Sequence, residues 1–218
     1  MNIRRRHQAI THYYEKTLLD FLARKIYRFT SADQLSLLAF AGALLTAGSY
    51  LVAESNLAWL HLANFGIFLH WFGDSLDGRV ARLRQQNRPR YGYYLDHLLD
   101  AISTIVIIFG INYSGLTLQS EWLWALILLL LIMIHTALKA ASTGIFELSF
   151  ERIGGTEVRI SLIAMNIALV MTNNPLIIID NLPFNLIDVV GLFIVALLFT
   201  NLCLAVYKTL WGKNKIRD

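Results

Sequence analysis

Between Asp74 and Asp100 the chain reads DSLDGRVARLRQQNRPRYGYYLDHLLD, and this stretch limits the available folds more than any other. It sets two pairs of carboxylates, Asp74/Asp77 and Asp96/Asp100, in apolar sequence on either side of a basic, proline-containing link. Residues three or four apart on a helix are neighbours, with Cβ atoms roughly 5–6 Å apart, so each pair shares one helix face. With the link near residues 83–91, Asp77 and Asp96 each lie about 6 Å inside their helices at roughly 1.5 Å rise per residue. Asp74 and Asp100 lie one turn deeper. The spacing predicts a helical hairpin that stacks its acids at two matching levels.

The hairpin sits in a membrane protein. A chain of 218 residues that is 56% hydrophobic and 16% charged is too apolar for an ordinary soluble domain. Six apolar segments, near 34–53, 57–82, 92–114, 121–145, 157–173 and 186–207, are long enough, or nearly so, to cross about 30 Å of hydrocarbon. Residues 1–33 instead interleave Arg4, Arg5, Arg6, Lys16, Arg24, Lys25 and Arg28 with Ile10, Tyr14, Leu18, Phe21, Leu22 and Tyr27. That pattern fits an amphipathic helix on an anionic inner leaflet. The expected fold is therefore an all-α integral membrane protein: an interfacial segment (1–33) followed by a six-helix membrane domain (34–218).

Basic residues set the orientation. The links at 54–56, 115–120 and 174–185 hold no Lys or Arg, whereas all the Lys and Arg fall in the N-terminal region, the 83–91 link and the helix ends beside it, Lys139, the 146–156 link with Arg159, and the tail from Lys208. The positive-inside rule places both termini and the acidic hairpin turn on the cytoplasmic side. The net charge of +4 is thus a topology signal, and no nucleic-acid partner is expected. Trp59, Trp122, Trp124 and Trp211, near segment ends, read as interfacial anchors. The single cysteine, Cys203, excludes an internal disulfide.

One charged residue at the centre of a membrane helix costs about 2.5–3.5 kcal/mol, so four unpaired carboxylates cost on the order of 10 kcal/mol. Either ion pairs with Arg79 and Arg82 neutralise them, or bound cations do. The even placement of the acids favours cations. An all-oxygen donor set without cysteine or paired histidine suits Mg2+ or Mn2+, with Ca2+ able to occupy the same site. Gly78 and Ala81 share the acidic face, where small side chains serve either a closely approaching nucleotide or tight helix packing. Arg82, at the water edge, has the planar fork that suits phosphate oxygens; Arg79 reads as a solvated topology charge.

The pattern Asp74, Asp77, Gly78, Ala81, Arg82, Gly92, Asp96, Asp100 resembles the signature of the CDP-alcohol phosphotransferase family. The resemblance implies a phospholipid-biosynthesis transferase that moves a phosphoalcohol group from a CDP-alcohol to an acceptor hydroxyl, releasing CMP. It implies two divalent cations on Asp74, Asp77, Asp96 and Asp100, with Asp100 also the base that takes the acceptor's proton, and a homodimer in the membrane. It assigns Gly78, Ala81, Arg82 and Gly92 to the nucleotide. The run Thr30 to Ser36 is similar to the family segment before the first membrane helix, which would add Asp33 where the family has Asn; a plain helix cap at Ser31 or Asp33 is the other reading.

Two features bear on the substrate. Asp96-His97 and Thr156-Glu157-Val158-Arg159 resemble the branch that joins CDP-choline or CDP-ethanolamine to diacylglycerol. Lys139, Arg152 and Arg159, with the compact six-segment layout, resemble prokaryotic-type members that use CDP-diacylglycerol and a small alcohol or its phosphate. The second is the expected reaction, in the inner membrane of a bacterium or archaeon with the site facing the cytoplasm. His97, Lys139, Glu157 and Arg159 are candidates for holding the acceptor or supporting the metal ligands. Outside this class, a divalent cation transporter would need polar residues continuing to the far side, and the outer halves of the segments read as almost wholly apolar.

Overall fold

A computed structural model describes residues 4–6, 12–86, 88–143, 145–147 and 155–212. The elements are β1 (Arg4–Arg6), α1 (His12–Ile26), α2 (Ala32–Val52), α3 (Trp59–Leu83), α4 (Pro89–Asn112), α5 (Glu121–Thr143), β2 (Ile145–Glu147), α6 (Gly155–Thr172), β3 (Leu176–Ile179), β4 (Leu182–Asn185) and α7 (Leu186–Leu210). Helices α2 to α7 follow the six expected segments to within a few residues. Four of them, α2, α4, α5 and α7, are long and apolar enough to cross a membrane by length and composition. Helix α3 falls short because Asp74, Asp77, Arg79 and Arg82 dilute its apolar sequence, and in α6 the apolar part is only Val158–Thr172.

Local chemistry sets the helix starts. Ser31 caps α2: its Oγ accepts from the Gln34 N–H at 3.2 Å, and Gln34 Oε1 accepts from the Ser31 N–H at 2.9 Å, a reciprocal capping box. Ser31 is thus the helix cap of that region. Helix α4 opens on Pro89, whose missing N–H has no intrahelical partner to lose at that position.

Small residues bring the central helices together. A Cβ added to Gly73 of α3 would lie 2.3 Å from the Leu35 carbonyl oxygen of α2, and one on Gly66 would lie 2.7 Å from the Gly42 carbonyl oxygen. On α4, a Cβ at Gly110 would lie 2.6 Å from Ala47 Cα. Lipid supplies no hydrophobic drive for helix association, so close backbone approach and interhelical hydrogen bonds replace it. One such chain is fully buried on α2 and α6: Tyr50 donates to Asn166 Oδ1 at 2.5 Å, and Asn166 Nδ2 donates to Asn64 Oδ1 at 2.7 Å. Beyond it, Asp188 is buried and accepts from the Leu118 N–H at 3.1 Å. The expectation of almost wholly apolar outer halves is corrected by these groups, which are polar but satisfied.

Other expectations change with packing. Trp122 is buried in the core and is no interfacial anchor, whereas Trp59, Trp124 and Trp211 are exposed. Arg79 is not a solvated charge: its Nε lies 3.2 Å from Asp20 Oδ1 and ties α3 to α1. Helix α1 is amphipathic as expected, burying Leu19 and Ala23 against Leu35, Leu76 and Val80 while Leu18 and Phe21 stay exposed. The segment before it carries β1, which pairs in parallel with β2. The 174–185 link folds into a β3–β4 hairpin with Asp180 and Asn181 at φ 47° and 64°, the left-handed pair of a type I′ turn.

The glycines separate two roles that share one residue type. Gly73→Ala is expected to destabilise the protein by about 1–3 kcal/mol through overpacking. Gly78→Ala, whose Cβ would meet only Arg82 Nη1 at 3.7 Å, should leave stability unchanged. Thermal unfolding of the two variants in detergent checks the contrast.

Candidate active site

Helices α3 and α4, joined by the short 84–88 link, both pack on α2, and their acidic pairs line one cavity. Asp74, Asp96 and Asp100 each offer an oxygen, and these oxygens lie within 4.8 Å of one another. The cavity around them is lined by Ser36, Ala39 and Phe40 of α2, His70, Asp74 and Asp77 of α3, and Asp96, Leu99, Asp100 and Ser103 of α4. Asp77 stands on the cavity wall but turns to α2, where its Oδ2 accepts from Ser36 Oγ at 2.7 Å, and its other oxygen accepts from the Gly78 N–H. Three convergent carboxylates with no sulfur donor fit a hard divalent cation.

An ion pair from a later helix also enters this site. Arg159 of α6 donates through Nη2 to Asp74 Oδ2 at 2.6 Å and through Nε to His70 Nδ1 at 3.1 Å. His70 therefore accepts at Nδ1, which puts its ring proton on Nε2. Reading the hairpin alone missed His70, although it precedes Asp74 by four residues and so shares the acidic face.

A family model described as CDP-alcohol phosphatidyltransferase matches residues 29–207. The chain belongs to this family. No curated protein matches it. The match spans α2 to most of α7, with the acidic hairpin near its middle. Membership makes the chain a transferase of phospholipid synthesis that takes a CDP-alcohol and an alcohol acceptor in the membrane, in a family that uses divalent metals.

Within the CDP-alcohol phosphatidyltransferase frame the expected nucleotide residues divide. Gly78 is exposed and no other helix covers it, so the packing explanation passes to Gly42, Gly66, Gly73 and Gly110. Exposed Arg82 reaches over Gly78. Gly92 faces open space, with its N–H on the Arg88 carbonyl at 2.7 Å. Asp33 is engaged elsewhere: both its oxygens accept from Arg88 Nη2, at 2.6 and 2.7 Å, and it does not line the cavity. That hydrogen bond raises the Arg88 pKa above its ordinary value.

Of the acceptor candidates, Arg159 donates directly to Asp74. His97 lies against Tyr93, ring on ring at 4.2 Å with Nδ1 2.9 Å from the Tyr93 carbonyl oxygen, and is 3.7 Å from Asp96 Oδ2. Lys139 of α5 is not among the cavity-lining residues. The Glu157 side chain and Arg152 lie outside the described residues.

Because Asp33 is spent on an exposed ion pair, worth roughly 0–1 kcal/mol, Asp33→Ala should change KM for a CDP-lipid by no more than about fivefold. A steady-state assay of CMP release decides whether Asp33 touches the nucleotide.

Proposed function

We propose that this family member transfers a phosphatidyl group from CDP-diacylglycerol to a small alcohol or its phosphate, at a cytoplasm-facing site in a bacterial or archaeal inner membrane. The observation that carries the reading is the convergence of Asp74, Asp96 and Asp100 beneath the uncovered Gly78 and the exposed Arg82. The basic ends of the helices support the orientation.

Asp74, Asp77, Asp96 and Asp100 would hold two divalent ions, Mg2+ or Mn2+, which when bound neutralise the pyrophosphate and the departing CMP. Gly78 leaves room for the nucleotide to lie against the α3 backbone. Arg82 presents its guanidinium to a phosphate oxygen at the water edge. Asp100 takes the proton of the acceptor hydroxyl as that oxygen bonds to phosphorus, and the phosphorus–oxygen bond to CMP breaks with its electron pair leaving on CMP. The surrounding helices keep water from competing with the acceptor. A homodimer follows from the family resemblance.

The residues that resembled the aminoalcohol branch have other partners here. His97 stacks on Tyr93, and Thr156 Oγ donates to Glu15 of α1 at 2.7 Å. Arg159 at the cavity supports an anionic acceptor. Lys139 fits the same role only if it swings toward the cavity, so Arg159 carries it in this proposal.

Purified protein should release CMP from CDP-diacylglycerol with Mg2+ or Mn2+ and an alcohol or alcohol phosphate, and EDTA should abolish it. Asp100→Asn is expected to lower kcat by roughly 10²–10⁴, the usual loss for a removed general base. Wild-type CMP release from that variant would dismiss Asp100 as the base, and ion flux without any CMP would support a transporter.

A further inference from the structure

One cation at the acidic cavity belongs to the chain itself. Arg159 Nη2 lies 2.6 Å from Asp74 Oδ2, and the two side chains are only 16% and 20% exposed. Asp74 is also one of the three acids whose oxygens lie within 4.8 Å. The guanidinium already occupies Asp74 Oδ2, so a hard cation competes with it for that oxygen's lone pairs. A divalent ion and a guanidinium at ion-pair distance from one carboxylate also repel each other, strongly so away from bulk water.

We infer that Arg159 is a built-in counter-ion that a divalent cation displaces from Asp74. This rests on the reading of the acids as a metal site. Without metal, the guanidinium neutralises Asp74 and joins α6 to α3; when a cation enters, the Nη2 arm leaves Asp74 while Nε stays on His70. Arginine suits the task because its planar fork holds both partners at once, which a lysine ammonium at that reach does not. His70 is a positioning residue: its Nδ1 accepts the Nε–H at 3.1 Å and aims the fork. The base of the arm is also fixed. Thr156, one turn before Arg159, donates to Glu15 Oε1 at 2.7 Å, and the same oxygen accepts from Trp71 Nε1 at 3.1 Å. The arm thus has a pinned root, a guide at its midpoint and an exchangeable tip.

Mn2+ binding to the full chain in detergent, read by electron paramagnetic resonance, tests the exchange together with melting temperature in EDTA. Arg159→Gln should bind Mn2+ on the order of tenfold tighter, since a full positive charge leaves ion-pair distance of the site. It should also melt lower than wild type in EDTA, with the gap closing as Mn2+ saturates. Arg159→Lys should fall between the two. Phenylglyoxal labelling of wild-type Arg159, followed by mass spectrometry, should be faster with Mn2+ than in EDTA, which separates displacement from simple repulsion. If Arg159→Gln does not fold, the lysine variant and the labelling decide. Equal Mn2+ affinity in all three chains, or labelling indifferent to Mn2+, overturns the exchange while an Asp96→Asn chain that loses Mn2+ upholds the metal site. Wild-type Mn2+ affinity in Asp96→Asn overturns the metal site and the exchange with it.

Discussion

Everything in this protein depends on keeping like charges together where water screens them only in part. Carboxylates from two helices converge within 4.8 Å in a cavity walled by α2, α3 and α4. Such an arrangement is unstable unless cationic charge, hydrogen bonds or protons offset it. The chain offers two kinds of compensation: Arg159 on Asp74, and Ser36 with the Gly78 N–H on Asp77. The acids are therefore held in a state that further positive charge can improve. That is the physical condition for binding an anionic nucleotide through cations.

Holding the acids at that spacing requires backbones closer than ordinary side chains permit. Gly42 of α2, Gly66 and Gly73 of α3 and Gly110 of α4 supply the approach, each with a neighbouring backbone atom where its Cβ would stand. Further out, the Tyr50–Asn166–Asn64 chain locks α2, α3 and α6 in register with a few directional bonds. The site is rigid on its inner side because the helices beneath it cannot slide, while the face with Gly78 and Arg82 stays open.

What the sequence could say followed from distance along the chain. The two acid pairs, the helix segments around them and the basic ends were legible because each depends on neighbours three to seven residues away. The partners of the acids were not. Arg159 lies 85 residues from Asp74, and its reach depends on how α6 leans on α3. Gly73 and Gly78 illustrate the same divide: five positions apart on one helix, one is crowded by α2 and the other is bare. Trp122 was misread because a tryptophan at a segment end looks alike whether the end faces lipid headgroups or the core. Asp33 was assigned to the nucleotide by likeness, and its partner in the fold, Arg88, is 55 residues away.

The docking of α1 has a consequence for how the protein is made. Helix α1 finds Trp71 and Arg79 only after 56 and 59 more residues, and Thr156 only after 141. At about 5–20 residues per second the last wait is roughly 7–28 s. Leu19 and Ala23 can pack on Leu76 and Val80 once α3 is made, whereas the bond from Thr156 to Glu15 waits for α6. Completion of the fold is in this sense retrograde: the last tie on α1 forms only after α6 has arrived.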